Sequence, residues 1–255
     1  MTPFSRECVE FMHKTIHDIY QSPLFDHPSI IHGFSIKKFG DMRNREKRRD
    51  FVTAIGGDEK SLVWQEQVHG DAIHIVTEKD HGKIIQGVDG LVYKKNLSDS
   101  PISLSVHTAD CIPLLFFDPV SRVIAAAHAG WRGTVLHIGK KVLQNMHSLG
   151  STITDIRVAI GPRVCGSCYT IIGDREQKFR DEFPTHQDII TVSQEIHTVD
   201  IGLANFYDFI DIGIPKISID VDPSLCTYEK TDDFYSYRRS GKPLQGEILG
   251  VIGLI

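Results

Sequence analysis

The chain has 255 residues and a formal net charge of -5, from 28 Lys+Arg against 33 Asp+Glu. That balance argues against a nucleic-acid binder, because surfaces that track phosphates need a basic excess or a dense basic face. A hydrophobic fraction of 41% can bury one large core, and no linker, repeat or low-complexity tract divides the sequence, so a single domain over residues 1–255 is expected.

No segment approaches the roughly eighteen apolar residues of a membrane span. The N-terminal stretch carries Arg6, Glu7, Glu10 and Lys14, where a secretory signal would be apolar. Five cysteines are too few and too odd in number for a disulfide framework, so thiols or thiolate ligands in the cytoplasm are expected.

In chain order, the pattern predicts a helix over 5–20 and a second over 43–55, whose basic run 43–49 also holds Glu46 and reads as a solvated face. Strands follow over 61–68, 72–77, 90–93, 102–107, 112–117 and 123–128, from their β-branched content and boundaries. Val135, Ile138, Val142, Leu143 and Met146 recur at helical spacing and predict a helix over 134–149. Then come a strand at 156–160, a helix at 174–183, a strand at 189–192, a helix at 202–212 and strands at 216–220 and 248–254. This mixed order, without strict βαβ alternation, indicates a layered α/β domain.

Three residues stand out chemically. Cys111 lies between the trio Thr108-Ala109-Asp110 and Pro113 rather than among apolar neighbours. His128 ends a strand of small residues directly before the turn Ala129-Gly130-Trp131-Arg132-Gly133, and His69 ends another strand before Gly70. Two imidazoles and a thiolate are the donors a borderline-soft ion such as zinc prefers. Spacing alone does not pair them, since the gaps are 42 positions (69 to 111) and 17 (111 to 128). Hydrogen-bonded loop histidines and a small buried cysteine are the competing reading.

The segments WQEQVHG, HTADCIPLLFFD, AAAHAGWRG, AIGPRVCGSCYTI and CTYEKTDDFYSYRRSG, spanning 64 to 241, resemble in that order the signature blocks of the multicopper polyphenol oxidase (laccase) domain family. Bacterial members are also named purine nucleoside phosphorylase or peptidoglycan editing factor. The resemblance implies a single-domain four-layer α-β-β-α sandwich with mixed sheets. It also implies a catalytic zinc, with copper as the alternative ion, held by His69, Cys111 and His128.

The chain departs from the family pattern in three places. Residues 34–40 stand where a serine/asparagine-rich turn is usual, Lys242-Pro243-Leu244-Gln245 follows Gly241 where TGR-like residues are usual, and Asn205-Phe206 replaces an asparagine-arginine pair.

Two further residues are candidates for catalysis. Asp110, beside Cys111, would orient a ligand or water, or cap a turn. Arg132 would grip phosphate through its planar fork of donors, as would Arg238 or Arg239, one of which should face solvent if the pair lies on a strand. Cys165-Gly166-Ser167-Cys168 is a lone CxxC for which a structural role is expected.

A two-His, one-Cys set leaves a fourth tetrahedral position open, the arrangement of catalytic rather than structural zinc. The resemblance implies phosphorolysis of adenosine, inosine or methylthioadenosine, with adenosine deamination as a second activity. The partners would be a small nucleoside and phosphate, with no nucleic acid and no membrane. The alternatives are an amidase acting on serine-containing cell-wall precursors, a copper phenol oxidase, and a non-catalytic zinc-stabilised interaction module.

Overall fold

The computed structural model describes residues 13–14 and 18–255. Strands β1 (His13–Lys14), β2 (Tyr20–Gln21) and β3 (Ile30–Phe34) precede helix α1 (Arg45–Ala54). There follow β4 (Leu62–Glu66), β5 (Ile73–Val76), β6 (Ile84–Gln86), β7 (Gly90–Lys94), β8 (Ile102–Thr108), β9 (Ile112–Asp118) and β10 (Val123–Ala129). Helices α2 (Trp131–Val135) and α3 (Ile138–Ser148) lead to β11 (Arg157–Ile160), α4 (Arg175–Glu182), β12 (Ile190–Ser193) and β13 (Ile196–Val199). The chain continues through α5 (Ile201–Asp211), β14 (Ile219–Val221), α6 (Tyr237–Ser240) and β15 (Ile248–Leu254).

These strands form a seven-stranded sheet of order β1-β2-β3-β15-β8-β4-β6, a six-stranded sheet of order β14-β11-β9-β10-β7-β5, and the small pair β12-β13. Both large sheets are mixed. In the first, β4 runs parallel to β8 while β15 runs antiparallel to it. In the second, β5 is parallel to β7 while β10 is antiparallel to β7 and β9.

Side-chain alternation along the strands separates three cores. On β9, Leu114 and Phe116 point with Ala125 and Ala127 of β10 toward Val142 and Met146 of α3 and Phe209 of α5. Their neighbours Leu115 and Phe117 point the other way, packing with Leu104 and Val106 of β8 between the two sheets. On β15, Ile252 joins that central core, whereas Leu249 and Val251 face Phe51 and Val52 of α1. The result is α1, sheet, sheet and the α3/α5 layer: a mixed α/β four-layer sandwich. Burying Phe116 and Phe117 on opposite faces of one strand contributes about 1.5–3 kcal/mol each.

The structure adjusts several boundaries. The helix expected over 5–20 lies mostly outside the described residues, and its last residue, Tyr20, belongs to β2 instead. The helix expected over 134–149 is two helices, α2 starting early at Trp131 on the Gly130 N-cap and α3 starting after His137, whose φ of 55° and ψ of 46° break the turn. Residues Lys216–Ser218 form a 3₁₀ turn, so the strand expected at 216–220 is β14. Arg238 and Arg239 lie on the short helix α6 rather than a strand, its first turn capped by the Ser236 side chain.

Candidate metal centre

The β8–β9 turn carries the chain from the first sheet to the second, and β4 neighbours β8 while β10 neighbours β9. The end of β4, the β8–β9 turn and the end of β10 therefore meet where the two sheets come together. Those three places hold His69, Cys111 and His128. Their donor atoms all lie within 4.8 Å of one another, and the two imidazole rings stand edge to face, 4.7 Å between centroids at 87°.

A buried acid that spacing does not reveal organises the cluster. Asp89, fully buried just before β7, accepts the backbone N–H groups of Val68 (3.2 Å), His69 (3.0 Å) and Gly70 (2.7 Å). This cradle supports the left-handed backbone of His69, φ 60°, a conformation that costs most non-glycine residues energy. The same carboxylate accepts His128 Nδ1–H at 2.8 Å, and its backbone carbonyl accepts His128 N–H at 2.7 Å. With Nδ1 so engaged, Nε2 is left with a free lone pair, as a metal-ligating histidine requires.

Burial raises the Asp89 carboxyl, but the hydrogen bonds from His128 and from Gly70 and Val68 together hold it below the usual carboxylate range. Burial likewise holds the His128 imidazole below its ordinary value, against the pull of Asp89, so the ring is neutral near pH 7. Burial of the Cys111 thiol, with Asp110, Asp89 and Glu247 nearby, pushes it up to about 12. A divalent cation would reverse that last preference by stabilising the thiolate.

The wall of the cluster is Gly130. A Cβ there would lie 3.0 Å from Cys111 Sγ, 3.4 Å from His69 Cδ2 and 3.7 Å from His128 Cε1, so a side chain would occupy the space in front of the donors. Since φ is -76° at Gly130, the glycine serves room rather than backbone conformation. Two nitrogen donors, one sulfur donor and a clear space before them fit an ion of the zinc type.

Asp110 adopts φ 95° and spends its carboxylate on the Thr227 hydroxyl (2.7 Å) and the Arg238 backbone N–H (2.6 Å). It ties the 226–241 segment to the Cys111 turn. Arg239 is consumed by the carbonyls of Thr227, Tyr228 and Phe234, and Arg238 by Thr170. Arg132 lies in the first turn of α2, exposed, with its guanidinium 4.7 Å over the Trp131 ring. Arg175 and Lys178, which sequence reasoning did not single out, reach the same ring at 4.9 and 5.5 Å. Three cations thus gather one residue from Gly130.

A cavity of about 900 Å³ is lined by Arg48, Trp64, Gln67, His107 and Glu247, among others. None of the three donors lines it. It is joined to their loop through Gln67, two residues before His69, whose amide exchanges two hydrogen bonds with the His107 backbone. The basic run of α1 is more than a solvated face, since Arg48 sits 4.4 Å over Trp64 and donates to the carbonyls of Met42 and Arg43.

Two mixed sheets flanked by helices, with a three-donor cluster where their strand ends meet, define a layered α/β protein with a candidate single-ion centre. The chain belongs to the family described as multi-copper polyphenol oxidoreductase laccase, which residues 38–255 match. It is 31% identical over 224 residues to the protein of Bacillus subtilis (strain 168) named purine nucleoside phosphorylase YlmD, covering 84% of this chain and 77% of that one. It is 29% identical over 210 residues to adenosine deaminase RL5 of an unknown prokaryotic organism, covering 78% of each. The crystal structure of YlmD from Geobacillus stearothermophilus matches with a TM-score of 0.83 and 26% identity, over 96% of this chain and 99% of that one.

Proposed function

We propose that the protein is a zinc-dependent purine nucleoside phosphorylase that also deaminates adenosine. The observation that carries the reading is the convergence of His69, Cys111 and His128 on one point with the buried Asp89 behind them. The names of the relatives, one a phosphorylase and one a deaminase, point to purine nucleosides as the small-molecule substrate.

His69 and His128 would supply the nitrogen ligands and Cys111 the thiolate. When bound, the ion would act as a Lewis acid, polarising an oxygen at the reaction centre. Asp89 fixes the His128 ring and the His69 loop, so the donors need no reorganisation. Arg132, Arg175 and Lys178 would attract phosphate, and the Arg132 guanidinium in particular has no ion pair or hydrogen bond among the described residues to give up. Asp110 would contribute by positioning the Cys111 turn, because its oxygens are already engaged.

Zinc is favoured over copper electron transfer on chemical grounds. Two imidazoles, one thiolate and an open position are the donor set of catalytic zinc, and the described residues gather one histidine-bearing group of donors where multicopper electron transfer needs several. Among the described residues no helix is long and apolar enough to cross a membrane.

The test is a panel of adenosine, inosine and methylthioadenosine with inorganic phosphate and zinc-loaded protein, followed by product chromatography. Free base is expected from each, with ribose 1-phosphate from adenosine and inosine and 5-methylthioribose 1-phosphate from methylthioadenosine, and with inosine appearing from adenosine. No turnover of any nucleoside would refute the reading.

A further inference from the structure

A second group of donors lies outside the centre described above. Cys165 and Cys168 stand on the loop after β11, and Cys226 and Glu229 open the 226–241 segment. The three sulfurs and a Glu229 carboxylate oxygen all lie within 4.8 Å of one another. Glu229 Oε1 is 3.4 Å from Cys168 Sγ and 3.9 Å from Cys165 Sγ.

The halves share a design. Cys165-Gly166-Ser167-Cys168 and Cys226-Thr227-Tyr228-Glu229 have the same two-residue spacing, and each closes a turn. The Cys168 and Tyr169 N–H groups both donate to the Cys165 carbonyl at 3.1 Å, and Lys230 N–H donates to the Cys226 carbonyl at 2.9 Å. Two backbone bonds stitch the halves together, Arg163 N–H to Leu225 O at 3.1 Å and Thr227 N–H to Arg163 O at 2.9 Å. Across the seam, Cys165 N–H donates to Cys226 Sγ at 3.3 Å, a bond that favours sulfur as thiolate. Nearby Arg163 is 4% exposed, and its Nε has no hydrogen-bond partner.

We propose that Cys165, Cys168, Cys226 and Glu229 hold a second divalent ion of the zinc type in a closed four-donor site, structural rather than catalytic. Four protein donors leave no position for substrate. On binding, the three thiols release their protons to solvent and no electron moves. All four cysteines among the described residues are free. A disulfide would use two sulfurs and strand the third beside Glu229, whereas an ion uses all four donors.

The site acts on the first centre through Asp110. Val164, beside Cys165, donates its N–H to the Asp110 carbonyl at 3.1 Å, and Thr227, beside Cys226, donates its hydroxyl to the Asp110 carboxylate at 2.7 Å. The second ion therefore clamps the two segments that hold the residue next to Cys111. This inference does not rest on the nucleoside reading.

The experiment is zinc titration of the reduced, metal-free full chain, with zinc counted per chain and cysteines alkylated and mapped by mass spectrometry. Two zinc ions per chain are expected, with Cys165, Cys168 and Cys226 protected along with Cys111. In His128→Ala, one equivalent should be lost while Cys165, Cys168 and Cys226 stay protected. Glu229→Gln should weaken the second equivalent at least about tenfold, and Glu229→Cys, which completes a four-sulfur set, should restore it. Alkylation of those three cysteines at the same rate with and without zinc in the wild-type protein would overturn the proposal. So would a disulfide among them that persists in the reduced chain.

Discussion

Asp89 Oδ1 accepts the Nδ1–H of His128 at 2.8 Å, while the same carboxylate collects three consecutive amides of the loop that carries His69. One buried acid thus sets both the ring of one candidate ligand and the backbone of another. Asp89→Asn retains the shape but loses the charge, and its amide nitrogen cannot accept. Zinc affinity, measured by chelator competition, is expected to fall about 10–100-fold.

Gly130 offers a test of space alone. In Gly130→Ala the new methyl would press on Cys111 Sγ at 3.0 Å, while the backbone conformation suits alanine. Thermal unfolding of the metal-free variant should stay close to that of the wild type, but its zinc affinity and turnover should drop by at least about tenfold, as for disturbed ligand geometry. Unchanged affinity would mean that the three donors do not converge on an ion in front of Gly130.

His137, at the break between α2 and α3, donates to the buried Asp208 of α5 at 2.8 Å. That hydrogen bond, opposed by burial and helped by the Asp208 charge, raises the imidazole above its ordinary value. A raised folded-state value stabilises the fold fully below the unfolded value of about 6.5, and the benefit is lost as pH rises through the folded value. His137→Asn, which tolerates the left-handed backbone, should therefore cost about 1–2 kcal/mol at mildly acidic pH. The gap from wild type in thermal unfolding should narrow as pH rises above the ordinary histidine range.

Much of this was legible in the residues. The β-branched runs around β8, β9 and β10 marked strands, and the blocks around His69, Cys111 and His128 marked the three side chains that the fold brings together. β3 was not legible, because Ile30-Ile31-His32-Gly33-Phe34 is a short run interrupted by a histidine and a glycine, and glycine inside a run weakens the strand signal. Asp89 was hidden for another reason: an aspartate before a glycine reads as a turn, and only the pairing of β7 with β10 sets it against His128. The neighbours of Cys165 and Cys168 were equally invisible, because Cys226 and Glu229 lie some sixty positions on and form no second CxxC.

Arg132 tests the phosphate side of the proposal. Arg132→Ala is expected to raise the KM for phosphate about tenfold or more, the loss of roughly one charge-assisted hydrogen bond, while zinc content stays unchanged. Lysine at that position should recover part of the loss, keeping the charge without the fork. Arg175 and Lys178 gather on the same tryptophan, so removing both should deepen the defect.

The most direct measurement is inosine cleavage by wild-type protein and Cys111→Ala, each stripped of metal and reloaded with zinc, with and without inorganic phosphate. The wild type should release hypoxanthine and ribose 1-phosphate only when both zinc and phosphate are present. Cys111→Ala should be inactive under every condition while keeping the wild-type circular dichroism spectrum. Phosphate-independent release of free ribose, or a Cys111→Ala variant as active as the wild type, would contradict the assignment of His69, Cys111 and His128 as the zinc centre of a phosphorylase.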